Sequence, residues 1–87
     1  MKIIRVTAMW CMSCLVMKKT WGKVFGKYPD IIIEDYDFDD DEEFLSKYNL
    51  SEVLPVLIFI ENDTEVLRVL GEKSEKQLNK IIEDLVK

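Results

Sequence analysis

The chain has 87 residues, of which 48% are hydrophobic and 33% are charged, and its formal net charge is −5. A chain of this length accommodates one small hydrophobic core, so we expect a single domain over residues 1–87. The negative charge argues against a nucleic-acid-binding protein, which would carry a basic stripe. No apolar run approaches the roughly 20 residues that a membrane helix needs, so we expect no membrane partner.

The first half of the chain predicts a strand, a helix and a second strand. Residues Lys2–Ala8 are rich in isoleucine and valine and predict a buried strand. Apolar residues recur at helical spacing over Met12–Tyr28, with lysines on the other faces, which predicts an amphipathic helix. Pro29–Asp30 then stops this helix, and Ile31–Tyr36 predicts the second strand.

The second half predicts a short helix, a hairpin and a final helix. Residues Asp39–Asn49 predict the short helix, because acidic side chains crowd its first turn, where the helix dipole favours them. Val56–Ile60 and Glu65–Leu70 flank a polar turn and predict a β-hairpin. Ser74 and Gln77 have the spacing of a capping box and precede an amphipathic helix. The predicted order is β-α-β-α-β-β-α, which indicates an α/β fold.

Cys11 and Cys14 are the only cysteines, and they lie between the first strand and the first helix. A disulfide between them would close a very short loop and add little stability, so we interpret the pair as chemical rather than structural. Two thiolates at this spacing suit either a reversible disulfide or a soft metal ion such as Cu(I). The cysteine pair by itself leaves both functions open.

The segment Met9–Cys14 satisfies M-x-C-x-x-C and resembles the motif of copper-chaperone and heavy-metal-associated domains. Those domains follow their second strand with a third strand and finish on a strand. The order predicted here does neither. A carrier of Cu(I) or another soft metal, using the same two thiolates, is therefore the alternative function.

Three motifs in register resemble the thioredoxin-like superfamily, and together they cover nearly the whole chain. A W-C-x-x-C motif over Trp10–Cys14 ends the first strand, as W-C-G-P-C does in thioredoxin. Leu54–Pro55 opens the third strand, where the family carries a cis-proline, and Gly71 ends the hairpin, where the family usually has a glycine. The resemblance implies a thioredoxin-like α/β fold with a four-stranded mixed sheet flanked by three helices.

The resemblance also implies a thiol–disulfide oxidoreductase. Cys11 would be the exposed nucleophile, because the amino end of a helix favours a thiolate. Cys14, one turn inward, would resolve the mixed disulfide. Pro55 has no N–H and so leaves an unpaired edge, against which an extended substrate segment could lie. The implied substrate-binding residues are Trp10, Met12, Leu54 and Pro55.

Protein disulfides as substrates, a thioredoxin-reductase-type electron donor, no cofactor and a monomeric state follow from the same resemblance. The start Met1–Ala8 does not read as a signal peptide, so we expect a cytoplasmic protein. A glutaredoxin-like protein is a further alternative. Glutaredoxins usually carry C-P-Y-C and a later glycine pair with an acid, however, and Gly71–Lys73 reads Gly-Glu-Lys.

Three further residues, Ser13, Arg5 and Asp35, are predicted to tune the redox chemistry. Met12 and Ser13 replace the Gly-Pro of thioredoxin, which makes the helix start less rigid, and the chain has no histidine to stabilise a thiolate. Arg5 takes the position of thioredoxin's buried aspartate, and Asp35 that of the lysine paired with it. We predict a charge-swapped pair whose guanidinium favours thiolates. Alternatively, Arg5 lies along the sheet and sends its charge to solvent.

Overall fold

The structure, a computed structural model that describes residues 1–50 and 53–86, follows the predicted order of strands and helices. Ser51, Glu52 and Lys87, which the predicted single domain includes, lie outside the described residues. The strands are β1 (Lys2–Thr7), β2 (Ile32–Asp37), β3 (Val56–Glu61) and β4 (Thr64–Leu70). The helices are α1 (Met12–Phe25), α2 (Glu42–Leu45) and α3 (Glu75–Val86), and a 3₁₀ turn over Ser46–Tyr48 extends α2.

The four strands form one mixed sheet in the order β2-β1-β3-β4. β1 is parallel to β2 and antiparallel to β3, and β3 is antiparallel to β4. Because a parallel pair needs a crossover connection, α1 joins β1 to β2, whereas a two-residue turn suffices between β3 and β4. The predicted thioredoxin-like fold class is confirmed.

Buried side chains form two clusters, because successive residues of a strand point to opposite faces of the sheet. Ile3 and Phe59 pack with apolar residues of α1 and α3, such as Met17 and Leu78. Their neighbours in the strands, including Ile4 and Ile58, pack instead with Leu45 of α2 and with both cysteines. The sheet therefore has helices on both faces, and one of its two clusters reaches the cysteine pair.

Two predicted helix boundaries are wrong. α1 ends at Phe25 rather than Tyr28, because the N–H groups of Lys27 and Tyr28 donate to carbonyls three residues back instead of four residues back as in an α-helix. α2 begins at Glu42 rather than Asp39. The preceding carboxylates bind the backbone of their own loop, since Asp37 accepts from the N–H groups of Asp39 and Asp40 at 2.8 and 3.0 Å. Before α2, hydrogen bonds from the backbone to nearby side chains thus compete with helix formation.

The predicted capping box of α3 is confirmed. The backbone N–H of Ser74 donates to Oε1 of Gln77 at 2.9 Å, and the N–H of Gln77 donates to Oγ of Ser74 at 3.1 Å. The two bonds satisfy N–H groups that have no partner inside the helix. The box fixes the start of a helix whose Leu78 and Ile82 are fully buried.

We expect Ser74→Ala to lower the free energy of unfolding by about 1 kcal/mol, because it removes the N-cap acceptor. Urea denaturation followed by circular dichroism measures this change. Lys76→Ala, at an exposed position in the same helix, is the matched control and should change the free energy much less. Equal stabilities for the two variants would contradict a stabilising role for the box.

Candidate active site

Cys11 is the N-cap of α1. Its backbone is extended, with φ −90° and ψ 103°, and its N–H donates to the carbonyl of Ala8 at 3.1 Å. Its Sγ accepts a hydrogen bond from the backbone N–H of Cys14 at 3.1 Å. The predicted position of Cys11 at the amino end of the helix is confirmed, and both the helix dipole and this N–H favour negative charge on its sulfur.

Cys11 and Cys14 form a disulfide, with their Cα atoms 5.3 Å apart. Only 5% of Cys11 and 3% of Cys14 are exposed, so the prediction of an exposed Cys11 is wrong for this form of the protein. The sulfurs are covered because both cysteines pack in the cluster that contains Ala8, Leu54 and Val56. A substrate disulfide could therefore reach Cys11 only from a restricted direction.

Exposed apolar side chains lie close to this buried disulfide in the sequence. Met9 is 92% exposed, Met12 71% and Trp10 57%, and two residues of the next turn of α1 are also exposed. Exposed apolar clusters on a small protein mark interaction sites. We call this surface the apolar rim; it consists of Met9, Trp10, Met12, Leu15 and Val16.

Pro55 lies at the start of β3, and the Leu54–Pro55 peptide bond is cis. The carbonyl of Pro55 accepts a hydrogen bond from the N–H of Gly71 at 2.8 Å. Gly71 has φ +78°, a conformation that favours glycine, so its backbone rather than lack of space accounts for this residue. Leu54 and Pro55 are both buried.

Trp10 is held in place by the loop between β2 and α2. Its Nε1 donates to Oδ2 of Asp39 at 2.7 Å, and its ring meets the ring of Phe38 edge-on at 6.1 Å. Sequence reasoning missed both partners. The one available signal was that an indole N–H usually finds an acceptor, and this does not single out one carboxylate of an acidic loop.

Arg5 and Asp35 form the predicted pair. They face each other across the parallel β1–β2 ladder, and both Nε and Nη2 of Arg5 donate to the carboxylate, the latter at 3.0 Å. The guanidinium also lies 4.9 Å from the centre of the Trp21 ring. The side chain of Arg5 is 21% exposed and that of Asp35 is 60% exposed, so the cation is held at the sheet rather than extended into solvent.

Two other ionisable groups have shifted pKa values. Burial raises the pKa of Tyr36, and a hydrogen bond from its hydroxyl to Glu34 at 3.2 Å raises it further. A two-point hydrogen bond to Glu65 raises the pKa of Arg68. These shifts belong to local contacts on β2 and β4.

Within residues 1–50 and 53–86, no three Cys, His, Asp or Glu side chains converge to form a metal site. The described helices also include none that is long and apolar enough to cross a membrane.

The order of helices and strands differs from that of heavy-metal-associated domains, since α2 separates β2 from β3 and the last described element is a helix. The cysteine pair therefore lies in the order of elements that the resemblance to the thioredoxin-like superfamily implies.

Comparison with known proteins gives the family. The sequence model of the Thioredoxin family matches residues 1–84. The chain belongs to the thioredoxin family. An H-type thioredoxin from Oryza sativa subsp. indica is 30% identical over 80 residues, which are 92% of this chain and 65% of the rice protein. An H-type thioredoxin from Fagopyrum esculentum is 28% identical over 91% of this chain and 67% of its own length.

Solved thioredoxin structures have the same fold. Thioredoxin from Trypanosoma brucei brucei superposes with a TM-score of 0.87 at 22% identity, covering 98% of this chain and 74% of that one. The reduced Schistosoma mansoni thioredoxin pre-protein gives 0.81 at 30% identity, covering 95% and 76%. This chain spans 65% of the length of the H-type thioredoxin from Oryza sativa subsp. indica, 53% of thioredoxin H5 from Oryza sativa subsp. japonica and 67% of the Fagopyrum esculentum protein.

Proposed function

We propose that this thioredoxin-family protein is a thiol–disulfide oxidoreductase that works through a reversible Cys11–Cys14 disulfide. The observation that carries the proposal is the position of Cys11. It caps α1, accepts a backbone N–H from Cys14 and is bonded to the Cys14 sulfur. A sulfur in this place is stabilised as a thiolate when the disulfide opens, which makes it a good nucleophile.

In the reducing direction, the Cys11 thiolate attacks one sulfur of a substrate disulfide. A mixed disulfide forms, and the other substrate sulfur leaves and takes up a proton. The Cys14 thiolate then attacks Sγ of Cys11, which breaks the mixed disulfide and releases the second substrate sulfur as a thiol. The substrate gains two electrons and two protons, and the protein ends with the Cys11–Cys14 disulfide.

The roles of the surrounding residues are part of the proposal. Trp10 and Met12 of the apolar rim would contact the substrate, and the backbone at Leu54 and Pro55 would support an extended segment of it. Ser13, between the cysteines, would adjust the redox chemistry by making the start of α1 less rigid than the Gly-Pro of thioredoxin does. Arg5 and Asp35 would adjust the thiolates through their charges.

We infer that residues 1–87 act as one thioredoxin-like domain and as a monomer in the cytoplasm. Protein disulfides would be the substrates, and a donor of the thioredoxin-reductase type would return two electrons to the oxidised pair. The match to the Thioredoxin family supports this choice of partners, and Gly71–Lys73 lacks the glycine pair with which glutaredoxins hold glutathione. Cu(I) transport has less support, since α2 separates β2 from β3, unlike the strand order of heavy-metal-associated domains.

Reduction of insulin disulfides with dithiothreitol as electron donor tests the proposed function. We expect the protein to shorten the time to precipitation of the insulin chains relative to dithiothreitol alone. Protein with both thiols alkylated before the assay is the control for non-specific effects. A precipitation time equal to that of dithiothreitol alone would contradict the proposal.

Arg5→Met should raise the pKa of the Cys11 thiol and lower the reduction potential. The guanidinium favours thiolates and therefore the reduced form, so its loss disfavours both. Thiolate absorbance measured against pH reports the pKa, and redox titration reports the potential.

Asp35→Asn should shift both quantities in the opposite direction, because it leaves the Arg5 charge without its partner. Lys23→Met, which removes an exposed cation from α1, is the matched control and should shift them less. Superimposable titration curves for wild type, Arg5→Met and Asp35→Asn would mean that the pair has no part in the redox chemistry.

A further inference from the structure

A groove that is partly lined by apolar side chains opens between the β2–α2 loop and the end of the 3₁₀ turn. Its volume is about 430 Å³, which is enough for a long side chain and the backbone that carries it. Its lining includes three apolar residues, Phe38, Leu45 and Leu50, together with the acids Asp39 and Glu42 and the polar residues Ser46 and Asn49. The groove therefore combines an apolar surface with two carboxylates.

The two acids of the groove, Asp39 and Glu42, belong to the most acidic stretch of the chain. Residues Asp37–Glu43 contain six acids and one phenylalanine. Asp37 and Asp41 bind N–H groups of their own loop, and Asp39 binds the indole of Trp10. The carboxylate of Glu42 has no hydrogen bond or ion pair with any residue that the structure describes. Among the described residues, no cation forms an ion pair with Asp39 or Glu42.

The groove is continuous with the redox site. Trp10, next to Cys11 in the chain, binds Asp39 and packs edge-on against Phe38, so one residue belongs to the apolar rim and touches two residues of the groove. Leu45, which lines the groove, packs in the same buried cluster as both cysteines. A substrate segment that crosses Trp10 from the disulfide would meet the groove next.

We propose that this groove is a substrate subsite for a basic side chain, preferably arginine, near the reacting cysteine of a protein substrate. The inference rests on the oxidoreductase function proposed above and adds a substrate preference to it. The aliphatic stem of the arginine lies on Phe38, Leu45 and Leu50. Its guanidinium reaches the carboxylates of Asp39 and Glu42, which it can bind through two N–H groups.

The test compares pairs of short peptides, each with one cysteine in a mixed disulfide with a coloured thiol. One peptide of a pair carries arginine, and the other carries citrulline, which has nearly the same shape without the charge. The arginine or citrulline is placed in turn at each of several positions on both sides of the cysteine. For at least one position, we expect reduction of the arginine peptide to be about fivefold faster, as suits an exposed ion pair. High salt should shrink the ratio.

Glu42→Gln should bring the ratio of the two rates close to one. Glu83→Gln, an exposed acid on α3, is the matched control and should keep both the ratio and the absolute rates. A wild-type ratio of one at every position would overturn the inference, since the groove would then accept a neutral side chain equally well. A ratio that survives in Glu42→Gln would overturn the location. Reduction of neither peptide would overturn the oxidoreductase function, and this inference with it.

Discussion

Cys11→Ser is expected to lower the rate of insulin reduction to that of dithiothreitol alone. Cys11 occupies the N-cap of α1, where its sulfur accepts the N–H of Cys14 and faces the positive end of the helix dipole. A serine hydroxyl there stays protonated near neutral pH and cannot attack a disulfide. The variant should still fold, because serine is itself a preferred N-cap residue.

Cys14→Ser separates attack from resolution and is the matched partner of this experiment. Cys11 can still attack, but no thiolate follows to break the mixed disulfide, so covalent adducts with substrate proteins should accumulate. Non-reducing electrophoresis detects them, and reduction removes them. Residual insulin reduction by Cys11→Ser, or no adducts with Cys14→Ser, would contradict the assigned roles.

Phe59→Ala is expected to destabilise the protein by about 3–5 kcal/mol. Phe59 is completely buried in β3, where it packs in the cluster with Ile3, Met17 and Leu78. The total stability of such domains is about 5–15 kcal/mol, so the variant should retain only a small part of it or unfold. Urea denaturation measures the loss.

Val66→Ala is the control for this prediction, because Val66 is 46% exposed on β4. Its free energy of unfolding should stay within about 0.5 kcal/mol of the wild type. A similar loss for both variants would contradict the placement of the core between the sheet and the helices α1 and α3.

Local patterns predicted much of the fold. The apolar run of β3 and the polar turn after it were enough to predict the β3–β4 hairpin, and the spacing of Ser74 and Gln77 was enough to predict a capping box with both of its hydrogen bonds. The Arg5–Asp35 pair followed from the resemblance, since neighbouring strands in a known fold fix which residues face each other. Such features depend on the pattern and spacing of residues along the chain, or on the strand register that members of a fold share.

The features that were missed depend on tertiary packing. Cys11 is buried in a cluster whose members are distant from it in the chain, among them Leu54 and Val56, and no pattern around the cysteine reveals them. Asp39 was interpreted as part of a helix, but its carboxylate binds Trp10, 29 residues away along the chain. The acidic loop contains several equivalent carboxylates, and only the folded chain selects one of them.

Redox titration tests the central claim most directly. The pure protein is equilibrated in dithiothreitol and glutathione buffers of defined potential, and its thiols are then labelled and counted by mass spectrometry. We predict one two-electron transition between a dithiol and an intramolecular Cys11–Cys14 disulfide, nearer to the thioredoxin potential of about −270 mV than to the oxidant value of about −120 mV. A cysteine pair that stays reduced at every potential, or that passes into stable glutathione adducts, would contradict a reversible disulfide as the basis of function.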